Sequence, residues 1–98
     1  MHLSLVIPAY NEADRIGATL AAVLAYFGRQ DYRSEIIVVD DGSTDDTAGV
    51  VGRYCEENPE RVRLASLPGN RGKGYAVRTG MLNLAAGEYR FYYDADGS

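Results

Sequence analysis

Cysteine is almost absent from this chain. Cys55 stands alone, which excludes an internal disulfide and is compatible with a reducing compartment. Long apolar runs are missing too: none approaches the roughly 18 residues of a membrane-spanning helix. Met1-His2-Leu3 opens without the basic start of a signal peptide. A soluble, cytoplasmic chain is the expectation, with any membrane attachment lying beyond Ser98. Positive charge is outnumbered, with 10 Lys and Arg against 14 Asp and Glu, and the formal net charge of −4 argues against nucleic acid as a partner. The one histidine, His2, is expected as an exposed terminal residue, and there is no Ser-His or Cys-His pair to propose as a nucleophile.

What is present suits one small globular domain. Ninety-eight residues, 46% hydrophobic and 24% charged, can bury a modest core. Leu3 to Ile7 is a short apolar run that Pro8 should end, hence a buried first strand. Ile16, Leu20, Val23, Leu24 and Phe27 fall at helical spacing and predict a helix from Ala13 to about Gly28. Glu35 to Val39 is β-branched and reads as a central strand. After it, Ser43 or Thr44 is expected to cap a second helix, with Val50, Val51, Tyr54 and Cys55 inward and Asn58-Pro59 as its stop. Arg61 to Ala65 alternates as a third strand. A third helix is expected from about Gly74 to Ala86, closed by Gly87 in the left-handed conformation. Gly80 within that helix suggests close packing on the sheet. Tyr89, Phe91 and Tyr93 alternate with Arg90 and Tyr92 as a fourth strand with one buried face.

This β-α alternation implies an open parallel α/β sheet with right-handed crossovers. The expected strand order is 3-2-1-4, with the first two helices on one face and the third on the other. Ligands of such sheets bind outside the carboxyl ends of the strands. The unusual polar residues collect there: Tyr10, Asn11 and Glu12; Asp40 and Asp41; Arg71 and Lys73; Asp94 and Asp96. Two carboxylates one residue apart at a strand end suit Mg²⁺ or Mn²⁺ better than zinc. Taken alone, Asp-Ala-Asp-Gly-Ser also reads as a polar turn. Gly72-Lys73-Gly74 makes neither a dinucleotide fingerprint, since Val77 stands where glycine is needed, nor a Walker loop, since Leu67 and Gly74 occupy its glycine and hydroxyl positions.

Val6-Ile7-Pro8-Ala9-Tyr10-Asn11-Glu12, Val38-Val39-Asp40-Asp41-Gly42-Ser43-Thr44-Asp45, Asn70-Arg71-Gly72-Lys73-Gly74 and Asp94-Ala95-Asp96 resemble, in order, the signatures of family 2 glycosyltransferases. That family has the GT-A (Rossmann-like) fold. The third signature, with Ala76-Val77-Arg78, Gly80-Met81 and Gly87-Glu88-Tyr89, looks most similar to the dolichyl-phosphate β-glucosyltransferase branch, with the mannosyl branch next. The resemblance implies an inverting transferase that takes sugar from a nucleotide sugar, UDP-glucose before GDP-mannose, to a polyprenyl or dolichyl phosphate. It would act at the cytoplasmic face of a membrane.

By the same resemblance, Pro8, Tyr10 and Glu12 would line the base and ribose pocket, and Asp41 would accept a hydrogen bond from the base. Arg71 and Lys73 would approach the diphosphate, Asp94 the ribose and metal, and Asp96 would ligate Mg²⁺ or Mn²⁺. Gly97 stands where the branch usually has a larger apolar residue, and Tyr92-Tyr93 replaces a more aliphatic run. The family carries its acceptor site and general base beyond the Asp-x-Asp. Residues 1–98 therefore read as the nucleotide-sugar-binding part of a GT-A domain, interrupted after that motif, inactive alone and without a catalytic base. If the fourth strand is an edge, residues 88–94 are expected to pair two copies in a homodimer. Two other readings are a non-catalytic nucleotide-binding module and, more remotely, a phosphatase of the haloacid dehalogenase type. The latter would leave Tyr10-Asn11-Glu12 and Asp40-Asp41-Gly42-Ser43 unexplained.

Overall fold

A computed structural model describes residues 2–93. Strand β1 (His2–Ala9) leads through helix α1 (Ile16–Gly28) to β2 (Arg33–Asp40), and α2 (Thr47–Glu57) leads to β3 (Val62–Ser66). Helix α3 (Lys73–Thr79) runs on into one π-helical turn (Gly80–Leu84) before β4 (Tyr89–Tyr92). The sheet is parallel with order β3-β2-β1-β4, as the sequence predicts.

β1 and β2 form the floor of the molecule, pairing residue for residue from His2 with Arg33 to Ala9 with Asp40. Both faces of this pair are covered, which is why their sequences run apolar instead of alternating. Ile7, Ala9, Ile36 and Val38 pack under Ile16, Leu20 and Phe27 of α1 and Val51 of α2. On the opposite face Val6, Ile37 and Val39 meet Ala76 and Ala85, with Met81 and Leu84 beside them. Two successive crossovers move outward to β3 and the third returns past β1 to β4. Right-handed connections then place α1 and α2 on one face and α3 on the other.

Several local expectations are corrected. Pro8 does not end β1; it pairs with Val39 one residue before the strand stops. The Val6 carbonyl accepts the Tyr93 N–H at 2.8 Å on the β4 side, and Pro8, two residues on, faces the same way. Its missing N–H therefore costs the β1–β2 ladder nothing. α1 begins at Ile16, three residues later than the periodicity suggests, because the Glu12 carbonyl is bonded by the N–H groups of Arg15 and Ile16 in a preceding turn. Neither Ser43 nor Thr44 caps α2, which begins at Thr47 with Asp46 at its N-cap position. Both hydroxyl residues are engaged with Asn11 instead.

The third helix ends at Leu84, its last turn loosened so that Ala85 N–H reaches the Gly80 carbonyl at 2.8 Å. Gly87 is not left-handed; only Gly42 and Gly72 among the described glycines have positive φ. Its requirement is space, since a Cβ there would lie 2.7 Å from Ser4 Oγ and 2.8 Å from the His2 carbonyl oxygen. The fourth strand forms, but its aromatic face is not buried. Tyr89, Phe91, Tyr92 and Tyr93 are each about half exposed, because no described element packs squarely over β4. His2, expected as an exposed terminal residue, is the half-buried first residue of β1. Among the described residues, no helix is long and apolar enough to cross a membrane.

Gly80 has the close contact the sequence suggests. A Cβ at this position would stand 2.4 Å from Val6 Cγ1 and 3.3 Å from Val39 Cγ2. A polar node ties the end of this helix to the sheet. Ser4 Oγ donates to Glu35 Oε2 at 2.5 Å, Ala86 N–H to the same oxygen at 2.8 Å, and Arg63 to Glu35 Oε1 at 3.0 Å. Burial pushes the Glu35 carboxyl up, but these bonds from Ser4, Ala86 and Arg63 together outweigh it and hold the group below its ordinary value.

Two predictions follow from this packing. Gly80→Ala should destabilise the fold by about 1–3 kcal/mol, the usual cost of overpacking a tight contact. Chemical denaturation of the variant measures it, and an unchanged midpoint would contradict the contact. For Glu35, a folded pKa below the unfolded one means the stabilisation is complete above the unfolded value. It is lost as pH falls through the folded value. Glu35→Gln should therefore lower stability by about 1–3 kcal/mol at neutral pH. It should also flatten the acid limb of a pH series of denaturation curves, below the ordinary range of a glutamate.

Candidate functional site

The carboxyl ends of β1 and β2 open into two loops that are bonded to each other. Asn11 carries the first at φ 52, a left-handed conformation that asparagine tolerates better than most side chains. In that pose its Oδ1 accepts the Thr44 N–H at 2.8 Å, while its own N–H donates to Ser43 Oγ at 2.9 Å. Glu12 N–H donates to Thr47 Oγ1 at 2.9 Å and Ala13 N–H to Asp45 Oδ2 at 3.2 Å. Thr47 returns its hydroxyl and its N–H to Asp45 Oδ1. The Thr47 hydroxyl leads the causes that hold the Asp45 carboxyl below its ordinary value, with the backbone N–H groups of Ala13 and Thr47 adding to it against a smaller opposing effect of burial.

The loop after β3 closes over the second of these. Asp41 is buried, and its two carboxylate oxygens accept the N–H groups of Arg71 at 2.7 Å and Gly72 at 2.8 Å. Gly42, at φ 73, lies so close to Gly69 and Asn70 that a Cβ would meet the Gly69 carbonyl carbon at 2.5 Å. Asp40 turns inward to accept the Ser43 N–H at 3.0 Å.

Between the loops is a pocket of about 210 Å³. Pro8, Tyr10, Glu12 and Asp41 line one side, and Asn70, Gly72 and Lys73 the other. Tyr10 offers a half-exposed ring to it. Glu12 is buried, with Oε1 paired to Arg15 at 2.9 Å and Oε2 without a hydrogen-bond partner among the described residues. Five of the residues singled out from sequence thus meet around one cavity. Arg71 does not line it; its guanidinium lies over the Tyr75 ring, 5.4 Å from the centroid. Asp94 and Asp96 lie outside the described residues, and among those described no group of three or more His, Cys, Asp or Glu gathers as a metal site. Sequence reasoning missed Asn70 and Gly72 as pocket walls. Gly72 had a signal: with φ 97 and ψ 153, its backbone suits glycine alone.

The sequence profile described as Glycosyl transferase family 2 matches residues 4–98. The dolichyl-phosphate beta-glucosyltransferase of Saccharomyces cerevisiae is 43% identical over 102 residues, covering 98% of this chain and 30% of that protein. Its Homo sapiens counterpart is 40% identical over 102 residues, covering 98% and 31%. Among solved structures, a mannosyltransferase from Pyrobaculum calidifontis in complex with GDP-Man and Mn²⁺ superposes with a TM-score of 0.82 at 35% identity. That match covers 96% of this chain and 27% of the mannosyltransferase. The chain spans about a third of the length of the curated relatives it matches. With a profile match over almost its whole length and relatives 40% or more identical across 98% of it, the chain belongs to glycosyl transferase family 2.

Proposed function

We propose that the complete protein is an inverting glycosyltransferase that moves glucose from UDP-glucose to a polyprenyl or dolichyl phosphate at the cytoplasmic face of a membrane. The observation that carries this reading is the pocket at the carboxyl edge of the sheet, where an aromatic face, buried carboxylates and a basic loop converge. Its volume of about 210 Å³ is below that of a site for a whole drug-sized ligand and suits one part of a nucleotide sugar, the base with its ribose. The glucosyl choice and the lipid-phosphate acceptor are supported by the names of the relatives. UDP-glucose carries its sugar as the α-anomer, so a β-product means one displacement with inversion. The mannosyltransferase solved with GDP-Man supports the alternative, a GDP-mannose donor.

In this reading Tyr10 presents its ring to the base, Glu12 and Pro8 border the ribose, and Asp41 accepts from the base. Lys73, on the pocket wall, and Arg71, at its margin, offset the charge of the diphosphate. Asp94 and Asp96 would hold Mg²⁺ or Mn²⁺, and their hard oxygen donors fit such a cation. They follow directly on Tyr93, whose N–H is bonded to Val6, two residues before Pro8 of the pocket. When bound, the cation stabilises the nucleoside diphosphate as it leaves. The acceptor site and general base are assigned to the part of the protein beyond these residues.

Calorimetric titration with UDP, UDP-glucose and GDP-mannose, with and without Mn²⁺, tests the reading. Uridine nucleotides should bind, Mn²⁺ should strengthen them, and Asp96→Asn should remove only the metal-dependent part with the fold intact. Tighter binding of GDP-mannose would select the alternative, and metal-independent affinity for UDP would remove the metal from the mechanism. Pairing of two copies through residues 88–94 is part of the same proposal, since β4 has no strand partner on its outer side among the described residues. Light scattering should find a dimer; a monomer at high concentration removes that element.

A further inference from the structure

We infer that Asp41 is a positioning residue for the basic loop as well as a wall of the base pocket. One carboxylate then couples recognition of the base to binding of the diphosphate. The inference takes its ligand from the nucleotide reading above, but its structural half stands on the unliganded chain.

Both oxygens of Asp41 are engaged, Oδ1 with Arg71 N–H and Oδ2 with Gly72 N–H, at 2.7 and 2.8 Å. Two consecutive amides can point at one carboxylate only if the backbone turns sharply between them. That turn lies in the torsions of Arg71, and Gly72 then directs the chain into α3 at φ 97, where a side chain would be strained. The acceptor is charged and the residue buried, so each bond is of the stronger, charge-assisted kind. The contact of Gly42 with Gly69 and Asn70 pins the same loop from a second point.

The held segment is the one that matters for an anionic ligand. Arg71 and Lys73 flank Gly72, Lys73 opens α3, and the Arg71 guanidinium is steadied above Tyr75. Each carboxylate oxygen keeps a second lone pair. Asp41 can therefore accept a proton-bearing nitrogen of a base without releasing the loop. A loop already ordered before the ligand arrives loses less entropy on binding.

Two measurements test this. In the ligand-free parent, the Arg71 and Gly72 amides should exchange with solvent at least about ten times more slowly than in an unstructured chain. Exchange at the unstructured rate would overturn the inference with no mutation involved. Asp41→Asn, checked for folding by circular dichroism, is then titrated with uridine and with UDP plus Mn²⁺. A positioning role predicts that UDP affinity falls roughly ten- to a hundredfold and uridine affinity by less. The gain that the diphosphate adds over uridine therefore shrinks, and exchange at Arg71 and Gly72 speeds up. Equal losses for uridine and UDP would confine Asp41 to the base and refute the coupling, leaving the nucleotide reading intact. Failure of the parent to bind UDP would overturn the nucleotide reading and the coupling together, even with both amides protected.

Discussion

Everything in this fold depends on the burial of β1 and β2 on both faces. Val6, Ile7, Ile36 and Val38 have no exposed surface at all, and a strand pair of that kind cannot lie at the rim of a sheet. Parallel pairing requires each return to cross a face, so helices must cover both sides. All strands then end at one edge, and the loops carrying Tyr10, Glu12, Asp41 and Lys73 meet there. The site is a by-product of strand direction before it is a set of side chains.

What converts an edge into a pocket is a second layer of polar bonds between loops far apart in sequence. Asn11 is joined to Ser43 and Thr44, Glu12 to Thr47, and Asp41 to Arg71 and Gly72. Most of these pair a side chain with backbone, so they set loop shape as well as contact. They also explain why Ser43 and Thr44 do not cap α2: loop-to-loop bonds compete for the same hydroxyl and amide groups, and here they win.

At the other end of the strands, the Glu35 node does for the helix-to-β4 connection what Asp41 does for the basic loop. Ser4, Arg63 and Ala86 converge on one buried carboxylate, and Gly87 N–H bonds back to Ser4 Oγ at 2.8 Å. This fixes the path into β4, while the strand itself remains thinly covered. A groove of about 400 Å³ between α1 and β4, bordered by Leu5, Tyr26 and Phe91, marks where cover is thin.

Strand order, helix faces and the edge that bears the pocket were all legible in the amino-acid sequence. They follow from periodicity and from chain direction, both of which are local or nearly so. Gly80 was legible for the same reason, since glycine inside a helix pattern asks for a packing partner. The pairing of Pro8, the true function of Ser43 and Thr44 and the exposure of the β4 aromatics were not. Each depends on what stands opposite: the direction Pro8 faces, the amides that Asn11 meets, the absence of a described element over Phe91. Asp41 shows the division most clearly. Its sequence position made it a candidate for the pocket, but only tertiary structure brought the Arg71 and Gly72 amides, thirty and thirty-one residues away, within reach of its two oxygens. A hydrogen bond acts over about 3 Å, and no pattern along the chain encodes which distant groups will come that close.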